Sequence, residues 1–145
     1  MENFKRILIP TDGSEYSHTA IEKGISLAKL VNAEVTAIYV VDQTAFAAVP
    51  PDSLVTDLYT ILKKEAEAAV GKVKDIGERE GVKVTTQIVD GSPAEEIVNA
   101  AEEHDIIVMA TLGHTGLAKL LLGSVAEKVV RHAPCPVMLI RMTEK

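Results

Sequence analysis

Short apolar runs alternate along this chain with longer stretches in which apolar residues recur every three or four positions. The first run, Lys5–Pro10, reads as a strand and ends in the turn cluster Pro10–Thr11–Asp12–Gly13–Ser14. From Glu15 the spacing becomes helical, with Ala20, Ile21, Ile25, Leu27, Ala28 and Val31 on one side. Glu34–Val41 is rich in β-branched residues and predicts a second strand. A loop over Gln43–Asp52 carries Pro50 and Pro51 and an apolar stretch, Ala45–Val49. Leu54, Leu58, Ile61, Leu62, Ala69, Val73 and Ile76 then mark a long helix from Ser53 to Glu80, and Gly81 suits its C-terminal cap.

Val82–Val89 predicts the third strand. Ser92–Pro93–Ala94–Glu95 has the form of a capping box with proline at the first helical position, and starts a helix that ends near Glu103. Asp105–Ala110 is apolar on both faces, as a buried parallel strand must be. A glycine-containing loop, Thr111–Leu122, leads to a second capping box, Ser124–Val125–Ala126–Glu127, and the last helix. Pro134 and Pro136 bracket a break before the fifth strand, Val137–Arg141. Five strands separated by four helices predict one α/β domain over residues 1–145, built on a parallel sheet. Right-handed crossovers place its helices on both faces. Sheets of this kind bind ligands beyond the carboxyl ends of their strands, where the strand order reverses.

Composition narrows the choice of ligand. The 15 Lys and Arg against 21 Asp and Glu give a net charge of −6, and aromatics are only 3%. An acidic chain without a basic block or stacking platforms is a poor nucleic-acid binder, although local amides can still hold a phosphate. The single cysteine, Cys135, allows no intrachain disulfide and reads as an inert structural thiol. No run approaches the ~20 apolar residues of a membrane span. Ile7–Leu8–Ile9 is too short for a secretion signal, so the expected compartment is the cytoplasm.

Two segments at strand ends could carry chemistry. One is Pro10–Thr11–Asp12–Gly13–Ser14; the other runs from Ala110 through Gly113, His114 and Gly116 to Gly123–Ser124–Val125. Gly123–Ser124 stands at a helix start, where free N–H groups favour an anion. The competing structural reading is a plain turn plus a capping box. Asp12 has the same duality: it can hold ribose hydroxyls or phosphate-bound Mg²⁺, or it can serve an Asx-type turn. His18, His104 and His132 lack acidic or cysteine partners at ligand spacing and read as surface or capping residues. The acids Glu65, Glu67, Asp75, Glu78 and Glu80 alternate with basic residues and read as a solvated helix face.

Three motifs together resemble the universal stress protein family. They are Ile7–Leu8–Ile9–Pro10–Thr11–Asp12–Gly13–Ser14, the stretch Gly113–Glu127, and His132–Ala133–Pro134–Cys135–Pro136–Val137–Met138–Leu139–Ile140. The resemblance covers essentially the whole chain. It implies a Rossmann-like three-layer sandwich with strand order 3-2-1-4-5, in a homodimer joined through Val137–Ile140. It also implies the ATP-binding branch, whose motif is a glycine, two residues, a glycine, nine residues, then Gly-Ser or Gly-Thr. Gly113, the intervening nine residues and Gly123–Ser124 fit; the first glycine is replaced by Ala110.

Carried onto this chain, the resemblance makes Pro10, Thr11 and Asp12 one wall of the site, with Asp12 near the sugar and adenine. Val40 offers backbone to the adenine edge, and Ala110 lies against the ribose. Gly113, Gly123, Ser124 and Val125 surround the phosphates, with His114 as a further ligand contact. Mg²⁺ or Mn²⁺ would be held by phosphate oxygens. Leu112 and His114 occupy positions that are often polar or basic in the family. The extra methyl of Ala110 is tolerated if the position has ordinary β dihedrals. It is strained by ~1–2 kcal/mol if the position needs positive φ.

The leading function is therefore an ATP-binding stress or signalling module that acts as a nucleotide-dependent switch, with slow hydrolysis at most. No nucleophile–base pair accompanies the loop. The alternative is a dimeric stress protein that binds no nucleotide and works through protein partners. A phosphorelay receiver, with Asp90 as phospho-acceptor, ranks low. Pro10–Thr11 stands where that reading wants acids, Met142 follows Arg141 where it wants lysine, and the glycine loop goes unexplained. Classical nucleotide enzymes rank lower still, since the chain has neither G-x-x-x-x-G-K-[ST] nor G-x-G-x-x-G after a strand.

Overall fold

The computed structural model describes residues 4–44, 53–112 and 122–142. Among them the predicted order of strands and helices is present: β1 (Arg6–Pro10), α1 (Glu15–Val31), β2 (Glu34–Asp42), α2 (Ser53–Arg79), β3 (Val84–Gly91), α3 (Pro93–Ala101), β4 (Ile106–Ala110), α4 (Ser124–His132) and β5 (Val137–Ile140). The strands form one parallel sheet in the order β3-β2-β1-β4-β5, the Rossmann-like arrangement that the resemblance implies.

Alternation along the strands sorts side chains between two cores. Ile7 and Ile9 of β1, Val35 and Ala37 of β2 and Val108 of β4 meet Ile21, Ile25 and Ala28 of α1 and Val70 and Val73 of α2. Leu8, Ile38, Ile107 and Met109 face the other way, onto Ala94 and Ile97 of α3 and Ala126 and Val129 of α4. Helices thus cover both faces, and the central strands are apolar all round because neither face meets water.

The ends of elements differ from the expectation in ways that have local causes. β3 begins at Val84 rather than Val82, because the Val82 N–H bonds the Gly77 carbonyl at 2.8 Å and closes the end of α2. Gly81 has φ +73°, as a helix-terminating glycine should. α2 is 27 residues long, about 40 Å at 1.5 Å per residue, whereas the 8 residues of β3 span only about 26 Å. Its buried positions begin at Ala66, and Asp57–Glu65 overhangs the carboxyl end of the sheet. Ile61, predicted on the apolar side, is exposed for this reason.

Candidate functional site

The site forms because neighbouring strands end at different heights. The β1–β2 register stops at Pro10 opposite Ile38, with one further bond from the Thr11 N–H to the Ile38 carbonyl at 2.9 Å. The β2–β3 register continues to Asp42 opposite Gly91. Main-chain groups alternate sides along a strand. Glu34 and Ile38 turn theirs toward β1, Val35 and Gln43 toward β3. Val40 therefore points its N–H and C=O to the β1 side, where β1 has already turned away. Among the described residues no main-chain bond from Thr11 follows it.

The gap is a cleft of about 370 Å³ at the carboxyl ends of β1, β2 and β4. That volume lies in the range of small-ligand sites. Pro10, Thr11, Asp12, Val40, Ala110, Ser124 and Val125 all line it, so the structure brings together seven of the residues named from sequence. Gly123 adjoins them as the cap of α4. Gly113 and His114 lie outside the described residues.

The turn after β1 is held by its own polar groups. Asp12 Oδ1 accepts the Ser14 N–H at 2.9 Å and the Ser17 hydroxyl at 2.7 Å. The Asx-type turn is thus real, and the carboxylate remains on the cleft wall. Thr11 is buried, and its hydroxyl accepts the Gly13 N–H at 3.1 Å. Gly13 completes the turn at φ +81°, a conformation that a Cβ would strain. A second cleft of about 640 Å³ lies on the other side of this turn, between α1 and α2, and shares Thr11, Asp12 and Tyr39 with the first. Burial, then the carboxylates of Glu65 and Asp12, raise the Tyr39 hydroxyl above its ordinary value, so it stays a neutral phenol at neutral pH.

Across the cleft, Ala110 ends β4 opposite Ile140. Asn32 is the only described non-glycine residue with positive φ, so Ala110 is unstrained and its methyl group is tolerated by the backbone. The Thr111 N–H bonds the Ile140 carbonyl at 3.1 Å, and the Thr111 carbonyl accepts the Gly123 N–H at 2.6 Å. This last bond fastens the start of α4 to the end of β4. It also corrects the expected capping box: Gly123, not Ser124, is the N-cap, and no side chain caps the helix. Glu127 does not reach back but pairs with Arg131 at 2.9 Å. At α3, Ser92 is the N-cap as predicted, yet its hydroxyl makes no capping bond either. The first-turn amides of α4 thus have no intrahelical acceptor, and Ser124 and Val125 lie in the cleft wall.

Sequence reasoning missed several lining residues. Leu62 comes from the overhang of α2, which no local pattern signals. Ser17 was hidden inside a helix, although it stands at capping distance from Ser14. Asp42 was within reach, since period-two alternation from Val40 puts it on the same face. His104 takes the capping role expected of it: Nδ1 bonds the Ala100 carbonyl at 2.7 Å and Nε2 meets Thr36 Oγ1 at 2.9 Å. Burial, then the nearby Asp105, pushes the Cys135 thiol up, which suits an unreactive side chain.

Fold and cleft define a doubly wound α/β protein with an open cleft at its topological switch point. The chain belongs to the universal stress protein family, whose model matches residues 3–141. It is 46% identical over 144 residues to Universal stress protein MJ0531 of Methanocaldococcus jannaschii, covering 98% of this chain and 85% of that one. The solved structure of hypothetical protein MJ0577 superposes with a TM-score of 0.88 at 34% identity, covering 99% of this chain and all of that one (100%). Two remoter structures, each 21% identical, share the fold. One is a universal stress protein in complex with cAMP, with TM-score 0.72 and coverage of 98% and 100%. The other is the universal stress protein from Archaeoglobus fulgidus in complex with dAMP, with TM-score 0.67 and coverage of 97% and 99%.

Proposed function

We propose that this chain is an adenine-nucleotide-binding stress-response module of the cytoplasm, acting as a switch whose state is set by the nucleotide it holds. The observation that carries the reading is the open main chain of Val40, facing an uncapped helix N-terminus across one cleft. An adenine edge offers an acceptor at N1 and a donor at its amino group. These complement the N–H and C=O of Val40. Asp12 is placed for sugar hydroxyls, and Ala110 borders the ribose. The amides of Ser124 and Val125, with the dipole of α4, favour phosphate oxygens. Gly113 and His114 complete the phosphate loop in this reading. That the same fold holds cAMP and dAMP in distant members supports it.

Among the described residues no three His, Cys, Asp or Glu side chains stand together as a metal cluster. In this reading a Mg²⁺ or Mn²⁺ arriving with ATP is held by phosphate oxygens. The close hydroxyl–carboxylate contact in the cleft wall, Ser17 on Asp12 Oδ1 at 2.7 Å, serves the turn after β1, and in this reading the site turns ATP over slowly at most. A second reading, a dimer that acts through protein partners without nucleotide, is favoured by one observation. The Gly123 amide is already taken by Thr111 and is lost to a phosphate.

Denaturing freshly purified protein and identifying what is released, then titrating ATP with Mg²⁺ by calorimetry, separates the two. About one adenine nucleotide per chain, or micromolar binding, supports the switch. Neither nucleotide nor heat at millimolar ATP overturns it in favour of the second reading. Gly123 has φ −71° and ψ 162°, which valine also adopts, so Gly123→Val should fold normally. It should weaken ATP roughly tenfold or more by crowding the phosphates.

A further inference from the structure

Resting on the nucleotide reading above, we propose that the carboxylate of Asp42 selects bases that carry an exocyclic amino group. The direction of the base follows from one bond. The Ile38 carbonyl already accepts the Thr11 N–H, so an aminopurine paired with the Val40 N–H must place its amino group at the Val40 carbonyl. That step runs along β2 toward Asp42.

Two residues along a strand span roughly 6.6 Å, and their side chains share a face. Ile38 and Val40 pack on the α3–α4 side of the sheet, so Asp42 stands on that side too, and it lines the cleft. Its Oδ1 is held by the Thr44 N–H at 2.9 Å and the Thr44 hydroxyl at 2.8 Å. Among the described residues no hydrogen bond or ion pair engages Oδ2. An ionised carboxylate accepts and never donates. At the end of β2 it complements the second N–H of an amino group and repels a carbonyl oxygen placed there. The neighbouring acids are used elsewhere. Asp12 is at the end of β1 with Oδ1 in its turn, and Asp90 accepts the Tyr59 hydroxyl at 3.3 Å from α2.

The test couples one substitution to one missing group. Asp42→Asn keeps an Oδ1 acceptor for Thr44 and replaces the other oxygen with an N–H donor. Wild type and variant are titrated by calorimetry with ATP and with purine riboside triphosphate, which lacks only the amino group. The variant should lose roughly tenfold in affinity for ATP, as for a hydrogen bond to a charged group. Its affinity for purine riboside triphosphate should change by less than about twofold. Because both ligands meet the same variant, a change in its stability or net charge cancels in the comparison. Equal losses for the two ligands overturn the role of Asp42 and leave the nucleotide reading standing. A wild type that binds neither ligand overturns the nucleotide reading, and this inference with it.

Discussion

Asp105 shows how much one side chain can organise. Its Oδ2 accepts the N–H groups of Lys5 and Arg6, each at 2.9 Å, and so fixes the start of β1 beside the start of β4. These two backbone bonds are the main reason its carboxyl lies below the ordinary value of 3.8. A lowered folded value means that the charged form is bound more tightly in the native state. The stabilisation is complete above the ordinary value and is lost as pH falls through the lower folded one. Asp105→Asn should therefore lower the urea midpoint at pH 7, and its difference from wild type should shrink below about pH 4. A gap that stays constant to pH 2 would assign the effect to packing instead. Ala110 teaches a different lesson at the same scale. The motif resemblance asks for glycine at this position, yet nothing in the dihedrals of Ala110 demands one.

Among elements, α1 packs close against the sheet at Gly24. A Cβ built at Gly24 would stand 2.5 Å from Ile9 Cδ1 and 3.1 Å from Ile9 Cγ1, with Val108 Cγ1 at 3.4 Å. Ile9 and Val108 are fully buried and have nowhere to retreat. Gly24→Leu should thus destabilise by ~1–3 kcal/mol, read as a lower denaturation midpoint with an unchanged slope. An unaffected midpoint would mean that α1 can lift without penalty. The alternation of elements was legible in the sequence because apolar periodicity differs between strand and helix. Strand order came from motif resemblance rather than periodicity. The α4 cap was misplaced by one residue because it depends on a bond between Thr111 and Gly123, far apart in sequence. The exposed Ile61 was misread for a similar reason, since only the relative lengths of α2 and the sheet decide what overhangs. Asp12 and Val40, both named from the sequence, line the cleft, while the geometry that opens it had to await the unequal ends of β1 and β2.

The whole molecule presents two unlike sheet edges. β3 exposes Thr85, Thr86 and Gln87, a polar edge that resists pairing. β5 carries Val137, Met138, Leu139 and Ile140, with Met138 exposed and Val130 exposed on α4. An open apolar edge is stable when another strand covers it, and a second copy of β5 would do so about a two-fold axis. We therefore expect a homodimer through Val137–Ile140 by sedimentation. Met138→Lys should shift it to monomer at micromolar concentration. A wild type that sediments as a monomer would send the search to another partner for this edge. Among the described residues no helix is long and apolar enough to cross a membrane.

The Thr111 carbonyl and the Gly123 amide act as a clasp between β4 and the start of α4, made entirely of main-chain groups. Because no side chain takes part, the clasp is indifferent to which side chains stand at its two ends, provided one residue keeps a C=O and the other an N–H to offer. Gly123→Pro removes that N–H and opens the clasp.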